Sequence, residues 1–388
     1  MSMTLFKDWF CLNGRETFTI DPKVNPTDAR FYFGRAPLRD RMKKQINRAF
    51  IDPQVPKMMF YGDYGSGKTQ TLYFLAYDLV DKAPASCKGK PHVVHLDIEV
   101  QSKSMAEQWH LQMMEALGMA TVQGWLQTLF SKSANFELEV DRLTGDPNIA
   151  QAFKQLRGGG DIAFNAWRWL ASQRLTAKEL IEFKVTRNLV DVGVGDMVSA
   201  LQAVGALART IGHCLVFFID EMEALQNIKQ GDSAESWHDY TRKLADNSNS
   251  TVGFIIGFKA VTLDEAPRML TRKDIIDRIG RHNVIELETL AAPANAKAFV
   301  EEMLAHLTER PKAEKLIQKE GLPATIQTYP FTATAFDLLC DYSCQDAAKS
   351  TPRNIIKTIN ECAIASWDIQ KKVIDDDIVN EIAPIVFQ

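Results

Sequence analysis

Short unbroken apolar runs alternate along this chain with stretches in which apolar residues recur at helical spacing. Met58-Met59-Phe60-Tyr61 is the first such run, and it closes on Gly62. From Lys68 onward, Leu72, Phe74, Leu75, Leu79 and Val80 mark one face of a predicted helix. Residues 92–98 predict a second buried strand, and 105–117 a helix behind it. The interval from about 118 to 195 shows no strand pattern. It predicts helical pieces on each side of the flexible Gly158-Gly159-Gly160. A helix over 197–211 leads into Cys214-Leu215-Val216-Phe217-Phe218-Ile219, an apolar run that ends in Asp220-Glu221. Wholly apolar runs of this length predict central parallel strands buried on both faces. Further along come a helix over 237–245, a polar loop over 246–250 and a strand over 252–256. A basic helical region (268–281) and a fifth strand (284–287) follow. Beyond Ala291 the period is helical, with helices predicted over 293–307, 313–320, 333–342, 352–368 and 374–382.

A length of 388 residues, at ~100–200 per domain, predicts two to three domains. Hydrophobic residues make up 46% and charged residues 24%, ordinary for a globular chain. No run approaches the ~18 apolar residues of a membrane span, so no membrane partner is expected. The N-terminus carries Lys7, Asp8 and Arg15 and lacks the apolar stretch of a secretory signal. Six cysteines (Cys11, Cys87, Cys214, Cys340, Cys344 and Cys362) include no C-x-x-C pair. That excludes the usual zinc and disulfide frameworks and predicts a reducing, cytoplasmic setting. The net charge of −4 rules out nucleic-acid binding by bulk charge. A local basic face does exist on the helix predicted over 36–50, where Arg39, Arg41, Lys43, Lys44 and Arg48 stand against Asp40 alone. It reads either as a solvated face or as a contact for a phosphate backbone.

Candidate chemistry concentrates at two strand ends. Gly62-Asp63-Tyr64-Gly65-Ser66-Gly67-Lys68-Thr69 has the G-x-x-x-x-G-K-[ST] spacing of a phosphate-binding loop between a strand and a helix. Its glycines let backbone N–H groups converge on an anion, and the helix N-terminus adds partial positive charge. In such a loop Lys68 reaches the β/γ-phosphates and the Thr69 hydroxyl ligates Mg²⁺. Gly62, Tyr64, Gly65, Ser66, Gly67 and Gln70 complete the nucleotide-binding set. Asp220 and Glu221 end the apolar run where ligands of open α/β sheets bind. Two carboxylates there are costly without a cation or solvent. Asp220 is assigned to the Mg²⁺ shell and Glu221 to polarising the attacking water. Glu223 is expected at the surface. His92 and His95 lack a metal-ligand pattern, and Trp167 and Trp169 are expected to serve packing.

Taken together these motifs resemble the AAA+ ATPases, most closely the clade of origin-recognition and transposition-partner ATPases. The resemblance spans residues 31–385. It rests on Phe33-Gly34-Arg35, the phosphate loop, Ile219-Asp220-Glu221, a strand ending near Gly257, Asp277-Arg278-Ile279 and Thr351-Pro352-Arg353-Asn354-Ile355. It implies an α/β P-loop NTPase fold: a parallel five-stranded sheet between helices, a helical lid and a largely helical insertion. The implied domains are an N-terminal extension (1–30) laid on the main domain, an α/β domain (31–290, insertion 118–195) and a lid (291–388). Gly34 and Arg35 would then lie near the adenine, and Arg353 would reach the γ-phosphate from the lid. Thr351 as N-cap and Pro352 as first helical residue support that placement independently. Arg278, with Arg281 as runner-up, would be the finger delivered to a neighbouring subunit. Gly257-Phe258-Lys259 stands where the family has a small polar residue, which bears on turnover. A second resemblance, to ATP-binding proteins of phage-defence loci such as BREX, rests on the segment around Trp167 and Trp169, on Leu175 and on the strand before Asp220.

The expected activity is therefore hydrolysis of Mg-ATP by a homo-oligomer, ring or helical. ATP would lie between the α/β domain and the lid, with sites completed across subunit contacts. The output would be a conformational switch on duplex DNA or on a DNA-acting partner. A defence-locus ATPase acting on a protein effector, and a nucleotide-dependent scaffold with little turnover, are the alternatives. With Gln388 just past the last lid helix, no winged-helix DNA reader is expected to follow.

Overall fold

The computed structural model describes residues 5–50, 55–85, 87–98, 105–222, 232–246 and 250–387. Glu223 and residues 247–249 of the polar loop lie outside this set. In chain order, α1 (Phe6–Trp9) and α2 (Ala36–Ala49) precede β1 (Lys57–Gly62), and α3 (Lys68–Asp81) leads to β2 (Lys90–Asp97). After α4 (Met105–Leu117) a purely helical stretch follows: α5 (Met119–Lys132), α6 (Phe136–Thr144), α7 (Pro147–Gly158), α8 (Gly160–Leu170), α9 (Ala177–Phe183), α10 (Leu189–Val192) and α11 (Val194–Thr210). Strands β3 (His213–Asp220), β4 (Val252–Lys259) and β5 (Val284–Glu286) alternate with α12 (Asp232–Ala245), α13 (Arg268–Thr271) and α14 (Lys273–Ile279). The chain closes with α15 (Pro293–Leu307), α16 (Arg310–Glu320), α17 (Ala333–Cys344), α18 (Pro352–Asp368) and α19 (Asp376–Phe387).

The described strands form one parallel sheet in the order β2-β3-β4-β1-β5. Strand β3 is an interior strand, and its last six residues are buried, as an apolar run flanked by β2 and β4 requires. Register pairs Asp97 with Asp220, so β2 and β3 both end in a carboxylate at the same edge. Strand β1 lies beyond β4 in that sheet. At ~4.8 Å per strand, its carboxyl end emerges ~10 Å from that of β3.

Two compact units divide the chain. One contains residues 42–61 and 75–286, hence the sheet and its helices. Its core joins Phe217, Ile219, Phe254 and Ile256 of the sheet to Trp109, Trp125, Trp169 and Trp237 of the helices. Trp167 and Trp169, although two residues apart on α8, are both buried there. The Trp169 indole N–H donates to the Arg187 carbonyl at 2.9 Å. His110 is fully buried between the Tyr240 hydroxyl (2.9 Å) and the Leu170 carbonyl (2.7 Å), tying α4 to α12 and to the end of α8. Strand β4 runs three residues past the predicted end, through Gly257-Phe258-Lys259. Phe258 is buried there and stacks on Tyr61 at 5.9 Å. The basic region over 268–281 is broken rather than continuous, because Arg272 adopts extended backbone angles between α13 and α14.

The other unit contains residues 1–41, 62–74 and 287–388. Phe10, Leu12 and Phe18 of the N-terminal segment are buried with Phe299, Met303, Leu339 and Ile359 of the C-terminal helices. The N-terminal segment thus belongs to the same unit as α15–α19. Arg15 and His306 clamp the buried Asp28 carboxylate, with Arg15 bonding both of its oxygens. Among the described residues, no helix is long and apolar enough to cross a membrane.

Candidate nucleotide-binding and acidic sites

The phosphate loop follows directly from its sequence. Strand β1 stops at Gly62, Gly65 and Gly67 adopt φ of +79° and +93°, and α3 starts at Lys68. Side chains other than glycine rarely adopt such angles, so these glycines turn the loop. Gly62 also admits close packing, since a Cβ there would meet Ser66 Oγ at 2.6 Å and the Leu287 carbonyl at 3.0 Å. Lys68 Nζ donates to the carbonyls of Gly62 (3.1 Å) and Asp63 (3.0 Å), which folds the ammonium back over the loop. Thr69 stands one residue on, half-buried in the first turn of α3. The Tyr64 N–H is taken by the Asp63 carboxylate at 2.6 Å.

Around this loop the same unit gathers the other residues expected to hold nucleotide. Arg35 is 8% exposed and donates from Nη1 to the Ser66 carbonyl at 2.8 Å. Its Nε and Nη2, and the Ser66 hydroxyl, are buried with no partner among the described residues. Gly34, at φ +66°, gives its N–H to Glu302 of α15 at 2.9 Å and packs so closely on Phe299 that a Cβ would clash. Gln70 commits its side chain elsewhere, donating to the carbonyls of Asp28 (2.6 Å) and Phe31 (2.8 Å). Its Oε1 is buried with no partner among the described residues. Thr351 caps α18 by accepting from the Asn354 N–H, with Pro352 as first helical residue. Arg353 then gives its backbone N–H to the Gly65 carbonyl at 3.3 Å, and its guanidinium lies 4.2 Å from the centre of the Tyr64 ring.

The acidic site belongs to the sheet. Asp220 is 4% exposed, and its Oδ1 accepts the Glu221 N–H at 3.0 Å. Glu221 is exposed and takes φ of +60°, the left-handed region, although it is not glycine. A non-glycine residue held there is strained by ~1–2 kcal/mol, a feature that clusters at functional sites. Arg278 lies in the last turn of α14, its Nη1 bonded to the Asp274 carbonyl of its own helix at 2.8 Å, and Arg281 is exposed beyond it. Lys259 is exposed at the end of β4.

Sequence reasoning missed Asp97 and Glu302. Asp97 ends an ordinary-looking strand, and only the register places it beside Asp220. Glu302 is one helical glutamate among many, and only the fold aims it at Gly34. An incompletely bonded guanidinium, a buried orphan hydroxyl and an N-terminal helix turn suit a polyphosphate. Among the described residues no group of three or more acidic, histidine or cysteine side chains is placed to hold a metal ion, and Asp220 is the buried carboxylate at that edge.

No family model matches the chain, and no curated protein matches its sequence. Solved structures do. The chain is similar to ORC2 of Aeropyrum pernix in its ADPNP-ADP complexes, with 12% identity over 92% of this chain and 68% of that one, and a TM-score of 0.50. It also matches A. pernix ORC1 in complex with DNA, with 10% identity, 92% and 66% coverage and a TM-score of 0.40. Domain III of the Thermotoga maritima replication initiation protein DnaA matches with 9% identity, 95% and 99% coverage and a TM-score of 0.41. The chain thus spans about two thirds of the ORC chains. At such identities the likeness is one of fold. With the parallel sheet and the phosphate loop, the likeness to ORC2 shows an α/β fold of the P-loop NTPase kind with a helical C-terminal region.

Proposed function

We propose that this chain is an ATPase of the AAA+ type, binding Mg-ATP at the loop Gly62–Thr69 and hydrolysing it. The observation that carries the reading is the loop itself, with Gly65 and Gly67 at positive φ, Lys68 folded over it and α3 starting beneath. Arg35 and Ser66 supply donors that lack partners without an anion. Thr69 and Asp220 are the residues that would hold Mg²⁺, which when bound neutralises phosphate charge. Glu221 would draw the proton from the attacking water, with exposure and a strained backbone suited to that task. Lys68 and Arg353 would stabilise charge developing on the γ-phosphate. Arg278 would act on a neighbouring copy's nucleotide, which makes a homo-oligomer the working form. Residues 118–195 form the helical insertion of the α/β domain, and 291–388 the lid.

Isothermal titration with ATP and phosphate-release assays test this. Lys68→Ala is expected to lose binding, while Glu221→Gln keeps binding and loses turnover by ~10²–10⁴. No nucleotide uptake by the wild type would sink the reading. Turnover untouched by Glu221→Gln would remove the assigned base.

Duplex DNA is the partner favoured by one surface. Arg41, Lys44 and Arg48 are exposed at helical spacing on α2, whereas Lys43 is spent on Asp78 at 2.7 Å and Arg39 pairs with Asp40. Neutralising all three should lower ATP-dependent DNA affinity and flatten its dependence on salt. Unchanged affinity would point to a protein effector instead.

A further inference from the structure

The phosphate loop carries an exposed aromatic side chain that phosphate binding does not require. Tyr64 is 64% exposed, and its backbone N–H is already taken by Asp63. Its ring faces the Arg353 guanidinium, 4.2 Å from ring centre to Cζ. Arg353 is pinned to the same loop by its backbone N–H on the Gly65 carbonyl at 3.3 Å. The two segments approach so closely that a Cβ on Gly65 would lie 2.9 Å from Arg353 Cβ and 2.9 Å from Thr351 Oγ1. Arg353 sits in the first turn of α18, where a cation opposes the helix dipole. The π face of Tyr64 offsets that cost and steadies a long, flexible side chain.

We infer that Tyr64 is a positioning residue for Arg353: its ring holds the guanidinium against the phosphate loop, so that the arginine is aimed before a γ-phosphate arrives. The inference rests on the reading of Gly62–Thr69 as an ATP site. Tyr64 then contributes, through Arg353, to telling a nucleoside triphosphate from a diphosphate. Its task depends on the ring face and not on the hydroxyl.

The test compares dissociation constants for ADPNP and ADP in the full chain, as wild type, Tyr64→Phe, Tyr64→Ala, Arg353→Ala and the Tyr64→Ala/Arg353→Ala double variant. An exposed cation–π contact predicts a roughly two- to fivefold fall in the ADP-to-ADPNP ratio for Tyr64→Ala. Tyr64→Phe keeps the wild-type ratio, and the double variant is no worse than Arg353→Ala. A ratio unchanged in Tyr64→Ala overturns the inference alone. So does a fall shared by Tyr64→Phe, or an effect that adds to Arg353→Ala. A wild type that binds neither nucleotide overturns the function together with it.

Discussion

Arg35 Nη1 donates to the Ser66 carbonyl at 2.8 Å, so a buried arginine is anchored to the phosphate loop by one nitrogen while two others stay unpaired. A buried, half-satisfied guanidinium costs stability until an anion completes it. Arg35→Met should therefore change stability without nucleotide by less than ~1 kcal/mol, the lost bond and the relieved burial nearly cancelling. Nucleotide affinity should fall ~10- to 100-fold, the worth of hydrogen bonds to a charged group. Arg35→Lys should recover little, since a single ammonium cannot serve both the carbonyl and a phosphate in a planar fork. Calorimetry and thermal unfolding decide. Strong destabilisation with full nucleotide affinity would make Arg35 a structural residue only.

Gly65→Ala separates backbone strain from close approach. At φ +79°, alanine costs ~1 kcal/mol by strain, and its Cβ would lie 2.9 Å from both Thr351 Oγ1 and Arg353 Cβ. Gly145→Ala is the matched control, with φ +61° and nothing within 4 Å of the added carbon. Urea unfolding should show Gly65→Ala as the costlier by at least ~1 kcal/mol, and preference for ATP over ADP should drop in that variant alone. Equal costs would mean that α18 yields freely to the loop.

Lys57 gives the sheet-containing unit a pH-dependent stability. Burial pulls its pKa down to about 7, against a smaller upward pull from Asp246, while Nζ donates to the carbonyls of Ala245 (3.0 Å) and Asp246 (2.8 Å). Between about pH 7 and the ordinary 10.5, the unfolded chain holds a proton that the folded chain has released. Stability from this group therefore rises with pH across that window, by about 1 kcal/mol per unit. Chemical denaturation between pH 7 and 9.5 should show the rise in wild type and not in Lys57→Met. Parallel slopes would refute it.

Part of this fold was legible because its signals are local. The glycines, Lys68 and Thr69 sit in one short segment between a strand and a helix, and the cap at Thr351-Pro352 is equally local. Strand β3 announced itself because a strand buried on both faces must be apolar throughout. What escaped depends on long-range register and packing. Asp97 meets Asp220 only through strand pairing, Glu302 meets Gly34 only through the C-terminal helices, and Tyr64 meets Arg353 only where α18 touches the loop. The extension of β4 through Lys259 escaped for a related reason. The glycine at 257 reads as a strand end, and the stacking of Phe258 on Tyr61 is a tertiary effect.

Glu221 joins strain to the assigned chemistry, and that joint claim is open to test. Its φ of +60° places Cβ against its own carbonyl, a cost of ~1 kcal/mol that glycine does not bear. Glycine instead loosens the unfolded chain by ~0.5–1 kcal/mol, so Glu221→Gly should lie close to wild type in stability. Alanine keeps the strain and gains nothing, so Glu221→Ala should be less stable than Glu221→Gly, reversing the order found at extended or helical positions. Both variants remove the carboxylate and should lose turnover by ~10²–10⁴ while still binding ATP. Urea midpoints and phosphate release on the two variants give both answers. Alanine above glycine in stability would mean that the left-handed turn after Asp220 is not held in solution. Residual turnover in both would shift the base to another carboxylate at that edge, with Asp97 first in line.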